Sequence, residues 1–506
     1  MQLAVSVLHC LVASAFPHDN HRPLGAGVYN GGDQYRAERS MLSYLGRVSY
    51  DFDKKYLFSA TFRADGSSRF GAENRWGTFP SASVGWRVAQ ESFMENVKSV
   101  SELKLRASYG IAGNDNIGEY RYLGLVGKSN YILGSGTGVQ VNGLVQNTVS
   151  NQKLGWEQTK QFDIGMELGL FKNKVYLNAD YYNSLTTGIL FDVPVPLITG
   201  FGSSLLNIGS VRNKGVELSI ETKNVAKKSF QWNTSFNISF NRNNVESIDG
   251  ITNAPIIDGP RNFFNELAYI TKIGEPIGSF YGFVYEGVYK TQAEADADPT
   301  IYFEGTNGRA AAGDMKYKDI SGPTGAPDGK IDGYDQTVIG HSNPDFIWGL
   351  TNTLAYKSFD LGLTLQGVQG STVMLGHMRT QYRQFSGEVR NYWKSEAEPG
   401  DGNVPNPGGS NQNRRVSKYW LRDGSFLRIK NLSLGYNLPA KLLGSAVSEA
   451  RVYMTAENLV TFTKYPLFNP EVNSGEGDNY NQKTPGMDFG GYPLARTITF
   501  GFNVTF

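Results

Sequence analysis

The sequence predicts an all-β protein, an antiparallel transmembrane β-barrel with roughly 13–16 strands. Three observations predict it. Apolar and polar residues alternate in runs of about ten, the length that crosses a bilayer as a tilted strand, whereas strands of soluble proteins centre on about five or six. The linkers between these runs are either very short or very long. The chain closes on "TITFGFNVTF", where Ile498, Phe500, Phe502, Val504 and Phe506 take every second place.

Composition supports strands and turns over helices. Of 506 residues, 40% are apolar and 13% aromatic, with 28 Tyr, 29 Phe and 59 Gly. At that apolar content, a perfect ten-residue alternation arises by chance in about one window in a thousand, so its recurrence along the chain is the signal. Such a length suggests about three soluble domains, but a barrel can absorb it in one sheet. The net charge of +1 gives no case for nucleic acid. No run of 18 apolar residues appears, so no transmembrane helix is predicted, and spanning strands leave a far weaker hydropathy signal. The single cysteine, Cys10, excludes an intramolecular disulfide, and the five histidines are too scattered for a zinc motif.

Taken in order, the first segment, "MQLAVSVLHCLVASAFPHDN", admits three readings. It is a signal peptide without the usual basic start, an upward strand alternating Leu3, Val5 and Val7 with Gln2, Ala4 and Ser6, or a truncated start. Strands then follow at 43–51, 55–65, 77–88 and 102–111. In the second, Tyr56, Phe58, Ala60 and Phe62 face away from Leu57, Ser59, Thr61 and Arg63. The next are 158–171, 174–185, 212–223 and 229–241; the last sets Phe230, Trp232, Thr234, Phe236, Ile238 and Phe240 against Asn233, Asn237 and Asn241. The closing set is 345–356, 358–370, 424–438, 450–463 and 495–506. With short turns such as Asp53-Lys54-Lys55 and Tyr356-Lys357-Ser358 in the periplasm, the long loops at 112–157, 186–211, 371–423 and 464–494 all fall outside. Residues 242–344 must then hold an even number of spanning strands or none; "PIGSFYGFVYEGVY" (276–289) reads as a hairpin or a folded loop. Even strand number also requires an upward strand before 43–51, missing or hidden within residues 1–42.

Several stretches resemble the SusC/RagA family of TonB-linked outer-membrane transporters: "LGRVSYDFDKKYLFSATFRADGSSRFGAENRWGTFPSASVGWRVAQESFM" (45–94), "LKLRASYGIAGNDNIG" (103–118), "VRNKGVELSI" (211–220), "NPDFIWGLTNTLAYKSFDLGLTLQG" (343–367), "YWLRDGSFLRIKNLSLGYNLP" (419–439) and "RVYMTAENLVTFTKYPLFNPEV" (451–472). The resemblance implies an outer-membrane protein importing oligosaccharides or peptides, lidded by a SusD-like surface lipoprotein and driven through TonB. It also implies a 22-stranded barrel and an N-terminal plug, for which residues 1–42 leave no room. The expectation is therefore a TonB-dependent-receptor-type barrel over 43–506, a C-terminal portion without plug or TonB box, preceded by a segment of uncertain nature.

The sequence offers few sites. The family's compact calcium-loop pattern is matched by Asp319, Asp328, Asp332 and Asp335, split by the insertion "GPTGAP"; calcium or a solvated acidic loop are both consistent. Aromatic residues of the long loops, Tyr382, Tyr392 and Trp393 foremost, suit stacking on sugar rings or contact with a lid, and equally suit packing within the loops. Phe506 and Phe502 resemble the terminal signal that the barrel-assembly machinery reads. No nucleophile elbow, HExxH or convincing carboxylate pair points to an enzyme, and "GSGTG" (134–138) precedes no helix. The competing reading is a secreted all-β carbohydrate-binding or adhesin-like protein.

Overall fold

The structure is a computed structural model. It describes residues 2–13, 38–134, 138–248, 253–259, 266–302, 308–376, 390–409, 411–439, 442–443, 447–472 and 485–506. The chain divides into two compact units: residues 1–173, 178–214 and 246–253, and residues 174–177, 215–245 and 254–506.

In the first unit, antiparallel strands follow one another in chain order. They are Gln2–Ala13, Ser40–Phe52, Tyr56–Ser67, Trp76–Arg87, Val100–Asn114 and Glu157–Leu170, then Val175–Thr187. In the second, Phe230–Ser247 pairs with Phe346–Tyr356, followed by Phe359–Gln369, Phe426–Asn437, Glu449–Thr463 and Thr497–Thr505. Ser210–Lys227 is the remaining long strand. All thirteen strands read from the sequence are present. The earlier strand that parity requires is Gln2–Ala13, paired residue for residue with the strand that begins at Ser40.

Register is fixed by the alternation, because a slip of one residue would turn every side chain to the opposite face. Tyr56, Phe58 and Phe62 lie opposite Trp86, Val84 and Pro80. Leu105, Ala107 and Tyr109 lie opposite Met166, Ile164 and Phe162. Tight turns close the short-linker ends: Asp53, Lys54, Lys172, Asn173 and Lys357 take positive φ, 52–60°.

The long loops are not structureless. In the first unit the Val126–Leu133 and Val139–Gln146 strands form a hairpin whose last pair is Leu133 with Val139; residues 135–137 of "GSGTG" lie outside the described residues. Leu190–Pro194 and Ser203–Asn207 form another. Phe70, Ile117 and Leu154 make a small core beneath them, with Trp156 packed against Phe70 and Phe79. In the second unit, residues 268–487 supply a larger core that includes Tyr269, Phe280, Phe283, Tyr289, Met315 and Met374. Segment 276–289 belongs to this core as short strands, Ser279–Gly282 and Tyr285–Val288, so it is a folded loop; the described part of 242–344 adds no spanning strand beyond the end of Phe230–Ser247.

Candidate functional site: the polar wall and its loop caps

Each sheet has two chemically distinct faces. One carries large apolar side chains in the open: Phe58 is 42% exposed, Phe62 55%, Val84 54% and Ile164 49%. Among the described residues no second layer covers these rows, which in water would form an apolar surface far beyond what a soluble protein presents. Aromatic side chains gather at the short-turn ends, Phe52 beside Tyr56 and Phe359 beside Tyr436, as at the interfacial girdle of a membrane barrel.

The opposite face is charged. Lys104 donates to Glu167 (3.0 Å), and Arg106 meets Asp163 (3.3 Å), Glu167 (3.4 Å) and Asp180 (2.5 Å). These pairs span three neighbouring strands and continue into a cleft of about 580 Å³ bordered by Arg47, Ser49, Asp51 and Ser59. Arg106 reaches Asp180 by crossing Gly165: a Cβ there would fall 2.3 Å from the Asp180 carboxylate and 2.6 Å from the guanidinium carbon. The second unit repeats the device. Arg451 pairs with Asp360 at 2.6 Å over Gly435, whose Cβ would meet both groups at 2.4 Å. The expected polar row of Asn233, Asn237 and Asn241 lies on this same face, with Asn237 over Gly349.

Buried polar contacts fasten the caps to the wall. Arg69 holds the backbone of Asp115 (3.0 Å) and the carboxylate of Glu119 (2.9 Å), while Ser67 donates to Asp115 (2.7 Å). In the second unit Arg428, nearly fully buried, binds Glu471, Asn469 (3.1 Å) and Thr461 (2.9 Å). Within that unit's cap, burial raises the Glu266 carboxyl above its usual range, against the pull of Arg415 2.7 Å away. The Tyr302 hydroxyl is pushed up to about 12 by burial.

The sequence-predicted site residues fall as follows. Asp335 is fully buried; one carboxylate oxygen accepts N–H groups from Ile320 (2.8 Å) and Ser321 (3.1 Å), the other from Asp332 (2.9 Å). Asp332 caps Tyr334 (2.8 Å), Asp328 accepts from Lys330 (3.0 Å) and Asp319 from Gly329 (2.7 Å). The carboxylates are engaged as turn caps. Among the described residues no group of three or more His, Cys, Asp and Glu is placed to hold a metal ion. Trp393 donates to the Lys290 carbonyl (2.9 Å) and lies against Gly313, 2.5 Å from where a Cβ would stand; Tyr392 beside it is half-buried. Tyr382 lies outside the described residues. Tyr419 and Trp420 are buried in the loop core. Phe502 and Phe506 are 77% and 88% exposed on the closing strand. The residues not singled out from sequence are the ion pairs; their signal was charge at the polar parity of a strand.

A sheet apolar on its uncovered face, charged on the other, with short turns at one end and folded loops at the other, defines an outer-membrane β-barrel. Comparison with known proteins gives the family. The profile described as TonB dependent receptor-like, beta-barrel matches residues 14–337, well over half of the sequence. The chain belongs to that family, and its place is the outer membrane. It is 35% identical over 487 residues to TonB-dependent receptor P3 of Formosa agariphila, covering 95% of this chain and 47% of that protein. To TonB-dependent receptor SusC of Bacteroides thetaiotaomicron it is 31% identical over 484 residues, covering 93% and 44%. The RagAB peptide transporter superposes with a TM-score of 0.76 at 27% identity, over 97% of this chain and 50% of that one. The chain spans about half the length of the curated relatives it matches.

Proposed function

We propose that the chain forms the barrel wall of an outer-membrane transporter for nutrient uptake, admitting oligosaccharides or peptides with a SusD-like surface lipoprotein and drawing energy through TonB. One observation carries the reading: in each unit a charged and hydroxylated face lies opposite the apolar one, a wetted surface along which a polar solute can move. The similarity to SusC and to the RagAB peptide transporter supports it. A secreted binding protein would leave the apolar face in water, which disfavours that alternative.

The test is to delete the gene and grow the strain on a panel of single glycans and peptide mixtures. Loss of growth on one class, restored by the wild-type gene, is the expected result and names the substrate class. Unchanged growth and uptake across both classes would overturn the reading. Co-purification of a surface lipoprotein with the tagged protein from outer membranes tests the partner separately.

A further inference from the structure

The outward rows of the two strands that flank Val175–Thr187 change character at their loop-side ends. On Glu157–Leu170 the row runs Lys160, Phe162, Ile164, Met166; Lys160 pairs with Ile111 one step beyond the apolar pair Tyr109–Phe162. On Ser210–Lys227 the row of the same parity runs Arg212, Lys214, Val216, Leu218, Ile220. Val216 and Ile220 are 38% and 37% exposed, while Val211 on the other parity is 5% exposed, which fixes Arg212 and Lys214 on the outward side. Lys160 and Lys214 are exposed. Arg212 is held in place: its Nε and Nη2 face the Glu246 carboxylate (Nη2 at 3.0 Å), and Nη1 donates to Asn183 (2.8 Å). Three of its five N–H groups are thus used, leaving two for an outside acceptor. In the second unit Arg242 stands in the same relation to Phe240, one outward step toward the loops. The short-turn ends also carry lysines, such as Lys54, Lys172 and Lys357, but these sit in the turns themselves, whereas the outward rows there end in aromatic residues such as Phe52 and Tyr56.

From this collar we infer a binding site for the phosphate groups of a phosphorylated lipid of the outer leaflet, centred on Lys160, Arg212 and Lys214. The collar continues directly from the hydrocarbon-facing rows, so an occupant must present acyl chains below and negative charge above. A phosphorylated lipid has that shape, and basic side chains at a membrane surface attract anionic headgroups. Glu246 supplies the geometry: it orients the Arg212 fork, which matches phosphate bidentately, and it offsets one positive charge, leaving a net excess in Lys160 and Lys214. The inference rests on the outer-membrane location and not on the uptake reading.

The test uses the full chain folded in neutral detergent. It is mixed with bisphosphorylated lipid A, with the dephosphorylated form, or with inorganic phosphate, and bound lipid is read by native mass spectrometry. The phosphorylated lipid is expected to be retained preferentially, with retention falling as salt rises. Lys160→Gln and Lys214→Gln are each expected to weaken retention about fivefold. Lys160→Arg with Lys214→Arg should keep it, with the melting temperature in lipid-free detergent checking the fold of every variant. Equal retention of the dephosphorylated lipid, an unaltered lipid count in the double Gln variant, or saturation of the same sites by inorganic phosphate would each overturn the proposal. Uptake measured in cells carrying the double variant is a separate readout, so failure of the uptake reading leaves this result interpretable.

Discussion

At the scale of single residues, two glycines do what no other residue can. Gly165 and Gly435 leave room for an ion pair to pass directly over the backbone of an intervening strand. Gly165→Val or Gly435→Val should cost about 1–3 kcal/mol by overpacking, measured as a shift in urea unfolding in lipid or detergent. Gly46→Ala, where nothing lies within 4 Å of the added carbon, is the matched control and should change little. The turn around Glu91 offers a pH test. Its carboxylate accepts from Trp86 (3.0 Å), Tyr56 (2.7 Å) and Lys55 (3.4 Å), and these contacts, the Trp86 bond first, lower its pKa. A carboxyl whose folded pKa is depressed stabilises above its unfolded value, about 4.3, and that stability is lost as pH falls through the depressed value. Glu91→Gln should flatten this part of the acid-unfolding curve by lowering stability at neutral pH, with variant and wild type converging in acid. The Asp335 carboxylate, which satisfies three backbone N–H groups, should be sensitive to replacement: Asp335→Ala should destabilise by about 1–3 kcal/mol or more. Chelation with EGTA should leave the melting temperature unmoved if these carboxylates serve only as turn caps.

At the scale of elements, the closing strand shows how one alternation serves two solvents. Ile498, Phe500, Phe502 and Val504 are 53%, 76%, 77% and 40% exposed, and they lie opposite Ala456, Met454, Val452 and Ala450 of the same face. Phe502→Arg should cost about 2–4 kcal/mol if it sits near the bilayer midplane, read as loss of folded protein in the outer-membrane fraction. Thr499→Arg, on the polar parity, should be tolerated. Phe506→Asp should reduce insertion without altering the stability of whatever protein does insert, if the terminal aromatic is the assembly signal. The strands were legible because period two survives in any ten-residue window. Gln2–Ala13 was legible only as one of three readings, since its alternation competes with a signal-like composition. The hairpin at 126–146 was missed, because its residues sit inside a long stretch rich in Gly, Asn and Ser that reads as loop.

At the scale of the whole molecule, the loops are the finding. Residues separated by some two hundred positions, such as Tyr269 and the backbone of Pro485, are brought into hydrogen bonding (3.2 Å) within one loop core. Met315 and Met374, fully buried, sit in the same core. Met315→Ala should cost about 2–5 kcal/mol. Because the cap has a core of its own, the damage should be local: limited proteolysis should cut within the long loops of the variant while the strands stay protected. Cleavage spread evenly across the strands would show that cap and wall unfold as one.

The sequence by itself determined the strand order, the register, which face of each strand meets lipid and the side on which the long loops lie. These follow from patterns contained within one strand or one turn, where side chains alternate and tight turns need particular residues. Tertiary structure alone decided the rest. The ladder of Lys104, Arg106, Asp163, Glu167 and Asp180, the pair of Arg451 and Asp360, and the buried Arg428 anchor join residues from different strands and loops. Asp335, open along the chain between a calcium ligand and part of a solvated acidic loop, is a buried backbone cap in space. Trp393, open along the chain between a binding and a packing role, lies against Gly313. No local period encodes such meetings, because they depend on where the folded chain brings distant segments together.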